Sequence, residues 1–249
     1  MRENVDLQLY DAAQNAFDRR YQGKKLTNLI ISAVIAALGL SSFVYGLGLE
    51  SIRTIFRWMT VNGTMFTTLG ALVFVAVNLI ELVAHTELTK VSVYYIRLSA
   101  AVAEAVIFIV VMTSQLPVFP EHMDIIDRYD SFVMHVVIPV LGVFSFLVND
   151  SPIGRLKPRE RWHGTWFVTC YGVVIVMLIG TGLLPPELIP YFFLNYRENG
   201  WGLFIVAFVF TYGSAYMMAW GLSEANRKLS WLWFKGIARR ERNRRKKQA

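Results

Sequence analysis

The apolar residues of this chain come in six long blocks, at 26–49, 58–83, 98–118, 131–148, 165–184 and 201–222, with charged segments between them. A helix needs about 20 predominantly apolar residues to cross the hydrocarbon core of a bilayer. The pattern therefore predicts an all-α, polytopic membrane protein with six transmembrane helices. The second block carries a polar stripe: Thr60, Thr64, Thr67, Asn78, Glu81 and His85 recur at helical spacing, so one face points into the bundle. For such threonines the ordinary use is hydrogen bonding between helices, worth under about 2 kcal/mol each. Ahead of the first block, the spaced apolar positions at 5–17 predict a short helix along the membrane surface. Before the last block, Pro185, Pro186 and Pro190 break helix and lead into an interfacial aromatic run at 191–195. The chain divides into an N-terminal segment (1–25), a six-helix domain (26–222) and a basic tail (223–249).

Composition agrees: 55% of residues are hydrophobic, only 17% are charged, and mean hydropathy is +0.41, too apolar for a soluble domain of this size. Charge then orients the bundle. Of the 25 lysines and arginines, all but Arg53, Arg57, Arg128 and Arg197 fall in segments that share a side with the N-terminus. The positive-inside rule makes both termini cytoplasmic, and six crossings satisfy that parity. The first 25 residues are charged throughout, and the first block is too long for the apolar region of a signal peptide. The tail stretch 239–247 (RRERNRRKK) has no aromatic or fold motif beside it, so it reads as a topology anchor touching anionic headgroups and not as a nucleic-acid surface. The closing KKQA also fits a dilysine retrieval signal. A single cysteine, Cys170, excludes an intrachain disulfide and is expected as a small packing residue of the fifth span.

His135 is the most informative residue. It lies within the fourth apolar block, four residues ahead of Pro139. Ionisable groups inside spans are functional candidates by default. Pro139 lacks the N–H that would bond the His135 carbonyl, which predicts a local departure from the helix. Spans two and four enter from the same side. Counted from the boundary residues Arg57 and Ser131, Thr60 and His135 each lie about 5–6 Å below that surface. A threonine hydroxyl becomes a nucleophile when a base takes its proton, and histidine is the usual base. The imidazole needs an orienter, for which Asp127 and Asp130 are candidates, and an oxyanion needs donors, for which Asn62 and Thr64 are candidates.

Two of these stretches carry a resemblance. The segment 56–60 (FRWMT) and the segment 134–141 (MHVVIPVL) resemble the family of androgen-induced and androgen-dependent TFPI-regulating proteins, and more closely its six-span bacterial relatives. The segment 190–195 (PYFFLN), followed by Gly200 and Trp201, is similar to their Pro-Tyr-x-Phe-Leu region. The resemblance runs from about residue 52 to 222. It implies an intramembrane hydrolase that cleaves esters of branched fatty acid–hydroxy fatty acid type, with a threonine nucleophile matching Thr60 and a histidine matching His135. It also implies a lipid-like substrate, no cofactor and a bacterial plasma membrane. Where bacterial relatives carry Ser-Asn after the threonine, this chain has Asn62-Gly63-Thr64.

A proton-coupled carrier is the rival reading. Glu104 lies about 10 Å beyond Arg97 along its helix, and Asn78, Glu81 and His85 occupy the same half of the bundle. With Arg97 taken as the boundary, no lysine or arginine is expected inside a span to neutralise these carboxylates, so they are protonated or water-linked. A packing cluster would use the same residues, and the absence of evident inverted repeats counts against a carrier. A non-catalytic sensor or scaffold would tolerate alanine at Thr60 and His135. A retinal protein is excluded by the lack of lysine in the last span. The four histidines, His85, His122, His135 and His163, fall on both sides of the membrane and form no ligand set.

Overall fold

The computed structural model describes residues 2–49, 51–84, 91–115, 127–149 and 158–248, with side chains for most of them between Lys25 and Leu232. Every regular element among them is helical. Helix α1 (Arg2–Leu49) leads through a short α2 (Ile52–Ile55) to α3 (Met59–Ala84). Helix α4 (Val91–Val110) ends in a π turn at Val111–Gln115. The fourth crossing is composite: α5 (Tyr129–Phe132), a π turn at Val133–Val137, and α6 (Ile138–Asn149). A 3-10 segment, Pro158–Thr165, opens α7 (Trp166–Gly180), and α8 (Tyr196–Gln248) closes the chain. Within these, six stretches are long and apolar enough to cross a membrane: Lys25–Leu49, Met59–Ala84, Val93–Thr113, Tyr129–Val148, Arg159–Gly180 and Tyr196–Leu232. The chain is a multi-pass integral membrane protein.

Its side chains are sorted for lipid. On α3 the residues turned inward are Thr60, Thr64, Thr67, Thr68, Asn78 and Glu81, while Leu69, Val73, Ile80 and Val83 are exposed. Polar groups go inside because hydrocarbon offers them no partner, whereas leucine and valine lose nothing by facing acyl chains. Small residues let helices touch: Gly39 of α1 lies against the Thr68 side chain, and Gly164 against Ala219 and Leu98, with no room for a Cβ at either position. The main apolar core joins Leu98, Val102 and Val106 of α4 to Phe146, Val168, Ala215 and Ala219.

Several expectations shift. The N-terminal segment is not a separate short helix. It runs unbroken into the first span, since residues 5–25 contain no proline and the lone Gly23 is a weak breaker. The third span starts at Val93, five residues before the expected 98, because Arg97 is not a boundary residue. Arg97 is buried, donating from Nη1 to Asn28 Oδ1 and from Nη2 to Ser145 Oγ, both at 2.6 Å, with its guanidinium 4.4 Å from the Phe74 ring centroid. Glu81 is neutralised by Lys25, 3.2 Å away. The expectation that no cation reaches the interior is therefore overturned: charged groups enter the bundle where polar side chains receive them. Cys170 is exposed on α7 and packs in no core. Gly200, at φ +83°, breaks the helix between the first turn of α8 and the span proper, a conformation that favours glycine.

Candidate functional site

The end of the bundle that holds the start of α3 also holds α5 and its π turn. His135 sits inside that turn, where the Ile138 N–H reaches back five residues to the Val133 carbonyl. The irregularity expected from Pro139 thus takes the form of a wide turn one step before the proline. His135 is half-buried. Its Nδ1 lies 2.8 Å from the Ser131 carbonyl and 3.0 Å from Ser131 Oγ. A carbonyl only accepts, so Nδ1 carries the proton and donates, which leaves Nε2 as the basic nitrogen.

Thr60 is buried on the first turn of α3. Its neighbour Val61 packs with Ile55 and with Met134, the neighbour of His135, in one apolar cluster. The two segments therefore meet, and no hydrogen bond joins the Thr60 hydroxyl to the imidazole. Asp130 is buried but belongs to Arg128, which donates to its two oxygens at 3.2 and 2.7 Å. The backbone of Ser131, not Asp130, holds the imidazole. Asp127 is exposed. Thr64 lies one turn deeper than Thr60, wholly buried, with a hydroxyl that no protein group bonds.

Thr60 and Val61 stand on the first turn of α3, and the first N–H groups of a helix have no intrahelical acceptor. No backbone acceptor takes the N–H of Thr60 or Val61. Side chains hold the turn just before the helix. Asn62 Nδ2 donates to Phe56 O at 2.6 Å and to Trp58 O at 2.8 Å, and Tyr171 Oη donates to Arg57 O at 2.7 Å. Asn62 thus has both its own N–H groups committed. Its effect on the site is indirect, by tying the turn at 56–58 to the start of α3.

Tyr191 completes this end. Its ring meets Trp58 edge-on at 6.1 Å, and its oxygen accepts from the Met59 N–H. Burial pushes its phenol up to about 12, partly offset by that N–H. Ser131, Tyr171 and Tyr191 were not singled out by sequence. Tyr191 falls in the aromatic run that the resemblance marked, but Ser131 and Tyr171 carried no local signal.

The remaining candidates lie elsewhere. Glu104 is wholly buried at the middle of the third span. Asn78 donates to the Phe74 carbonyl at 2.8 Å, which leaves it structural. His163 lies tilted against Tyr95, with centroids 4.2 Å apart, and edge-on to Trp166 at 4.5 Å. His85 and His122 fall outside the described residues. No family model matches the chain, and no characterised protein or solved structure matches it either.

Proposed function

We propose that the chain is an intramembrane hydrolase that cleaves a lipid ester, with Thr60 as nucleophile and His135 as its base. The observation that carries this reading is that the segment with a buried hydroxyl and two unpaired backbone N–H groups packs, through Val61 and Met134, against the segment that holds an imidazole with its tautomer fixed. These are the three parts that acyl transfer through a hydroxyl needs. Thr60 Oγ1 attacks the ester carbonyl carbon and passes its proton to His135 Nε2. The carbonyl electrons move onto oxygen, where the N–H groups of Thr60 and Val61 donate to the oxyanion. Collapse breaks the bond to the leaving oxygen, which takes the proton from His135 and departs as the alcohol. A water molecule then repeats the sequence. His135 removes its proton, its oxygen adds to the acyl carbon, and the Thr60 oxygen leaves with that proton, freeing the carboxylic acid.

The resemblance of 56–60 and 134–141 to the threonine hydrolase family supports a fatty acid ester of a hydroxy fatty acid as substrate, reaching the site from the lipid. The asymmetry of basic residues supports both termini in the cytoplasm, with the tail at anionic headgroups, and the resemblance supports a bacterial plasma membrane.

Covalent labelling with a fluorophosphonate hydrolase probe tests the reading. Purified wild type is compared with Thr60→Ala, His135→Ala and Glu104→Gln, each checked for folding. Labelling lost in the first two and kept in the third is the expected result. A folded wild type that takes no label, and hydrolyses no lipid ester in a screen, overturns it in favour of a carrier or a non-catalytic sensor.

A further inference from the structure

We propose that Glu104 is a reversible proton-binding site, linked through the Thr67 hydroxyl and cavity water to Arg97 and independent of Thr60 and His135. The Thr67 hydroxyl is the one polar group within reach of the carboxyl, and no other protein group bonds either Glu104 oxygen or the Thr64 hydroxyl. Gly142 closes the other side: a Cβ there would lie 3.6 Å from Glu104 Cγ and 3.9 Å from Thr67 Cγ2. Inside hydrocarbon, where no bulk water arrives, one hydroxyl does not compensate a carboxyl unless water is held behind it.

The structure has a place for that water. A cavity of about 30 Å³ is lined by Thr67, Arg97, Ala100, Ala101, Gly142 and Ser145, with Ser32 on the α1 side. A water molecule needs about 10–15 Å³ of such space, so two fit, with hydroxyl and guanidinium partners. Glu104 is not on the cavity wall itself, but Thr67 and Gly142, which flank its side chain, are. Arg97 is on the wall two turns away along α4, at about 10 Å. A proton passed in from cavity water through the Thr67 hydroxyl gives the neutral acid, which suits the apolar surroundings. A proton passed back the same way leaves a carboxylate that the Thr67 hydroxyl and, at longer range, the guanidinium stabilise.

Few other titratable groups face this point. Helix α3 has only Glu81, held by Lys25 of α1. The composite fourth span brings His135, Tyr129, and Asp130 with its Arg128. Helix α4 itself adds Tyr94 and Tyr95, α1 adds Tyr45, and α7 and α8 on the far face carry Tyr171, Tyr212 and Tyr216.

Infrared spectroscopy of the full chain in lipid nanodiscs reads a protonated carboxyl directly. Wild type should show its C=O stretch near neutral pH, and the band should fade as pH rises. Glu104→Gln should remove the band, and Thr60→Ala should leave it unchanged, which separates this site from the hydrolase reading. Arg97→Gln should move the midpoint of fading up by about one pH unit or more, because the anion loses its cation. Should that variant not fold, Thr67→Val, which removes a water ligand, should move it the same way. A spectrum with no band assignable to Glu104, or a band indifferent to both pH and these substitutions, overturns the proposal.

Discussion

His135 offers one nitrogen, not two. With Nδ1 donating to the Ser131 carbonyl, only Nε2 can accept a proton, and the donor that fixes this is paired with backbone. Ser131→Ala keeps that carbonyl and removes only Oγ, so probe labelling should slow less than about tenfold, whereas His135→Ala should slow it by about 10²–10⁴. A comparable loss in both would mean that the serine hydroxyl, not the carbonyl, holds the ring. Tyr191 gives a prediction in pH. Its phenol titrates at about 12 in the fold against 10.0 when free, so the folded state holds its proton more tightly. The associated stability is fully present below pH 10 and is lost as pH rises toward 12, by about 2 kcal/mol once partial exposure is allowed for. Thermal unfolding scanned over that window should fall less steeply in Tyr191→Phe than in wild type. Parallel alkaline limbs would assign the loss to other groups.

At the scale of the element, the start of α3 matters most. Asn62 and Tyr171 tie the turn at 56–58 to α3 and α7, and with it the approach to the free N–H groups of Thr60 and Val61. Tyr171→Phe and Asn62→Leu each remove one of those ties. Each should lower labelling by about tenfold or more through looser placement of these donors, with a stability cost of about 1 kcal/mol. Unchanged labelling in both folded variants would remove these N–H groups from the mechanism. Much of this element was readable in advance. The spacing of Thr60, Thr64, Thr67, Asn78 and Glu81 fixed its inward face, since lipid forces polar groups to one side of a helix. Pro139 likewise announced a break beside His135. What stayed hidden was pairing at long range. Tyr171 reaches a carbonyl 114 residues earlier, and no local pattern encodes that. Arg97 misled for the opposite reason: a lone arginine marks a membrane boundary unless partners await it inside, and Asn28 and Ser145 come from two other helices.

Taken whole, the molecule is a bundle with a polar seam and an apolar exterior. Six crossings require both ends of the chain on one face, and the proposed orientation, read from the basic residues, puts that face in the cytoplasm. Reporter tags fused at either end should therefore be protected together in inside-in vesicles and cleaved together when the vesicles are inverted. Protection of one without the other would break the six-span topology. The last helix ties the bundle together. Beyond residue 222, where the sequence suggests a separate tail, α8 continues without a break. Buried Asn226 donates from Nδ2 to the carbonyls of Phe146 and Leu147 at 2.8 and 3.3 Å, and Glu224 joins Arg161 to Arg227. Those two carbonyls lie near the end of α6, where a helix has no N–H of its own to offer. They belong to the fourth crossing, yet their partner lies 80 residues further along the chain, on the sixth. The fourth crossing therefore stays uncapped until the sixth is in place, so insertion alone does not finish it: its last turn is completed by a helix that must arrive later.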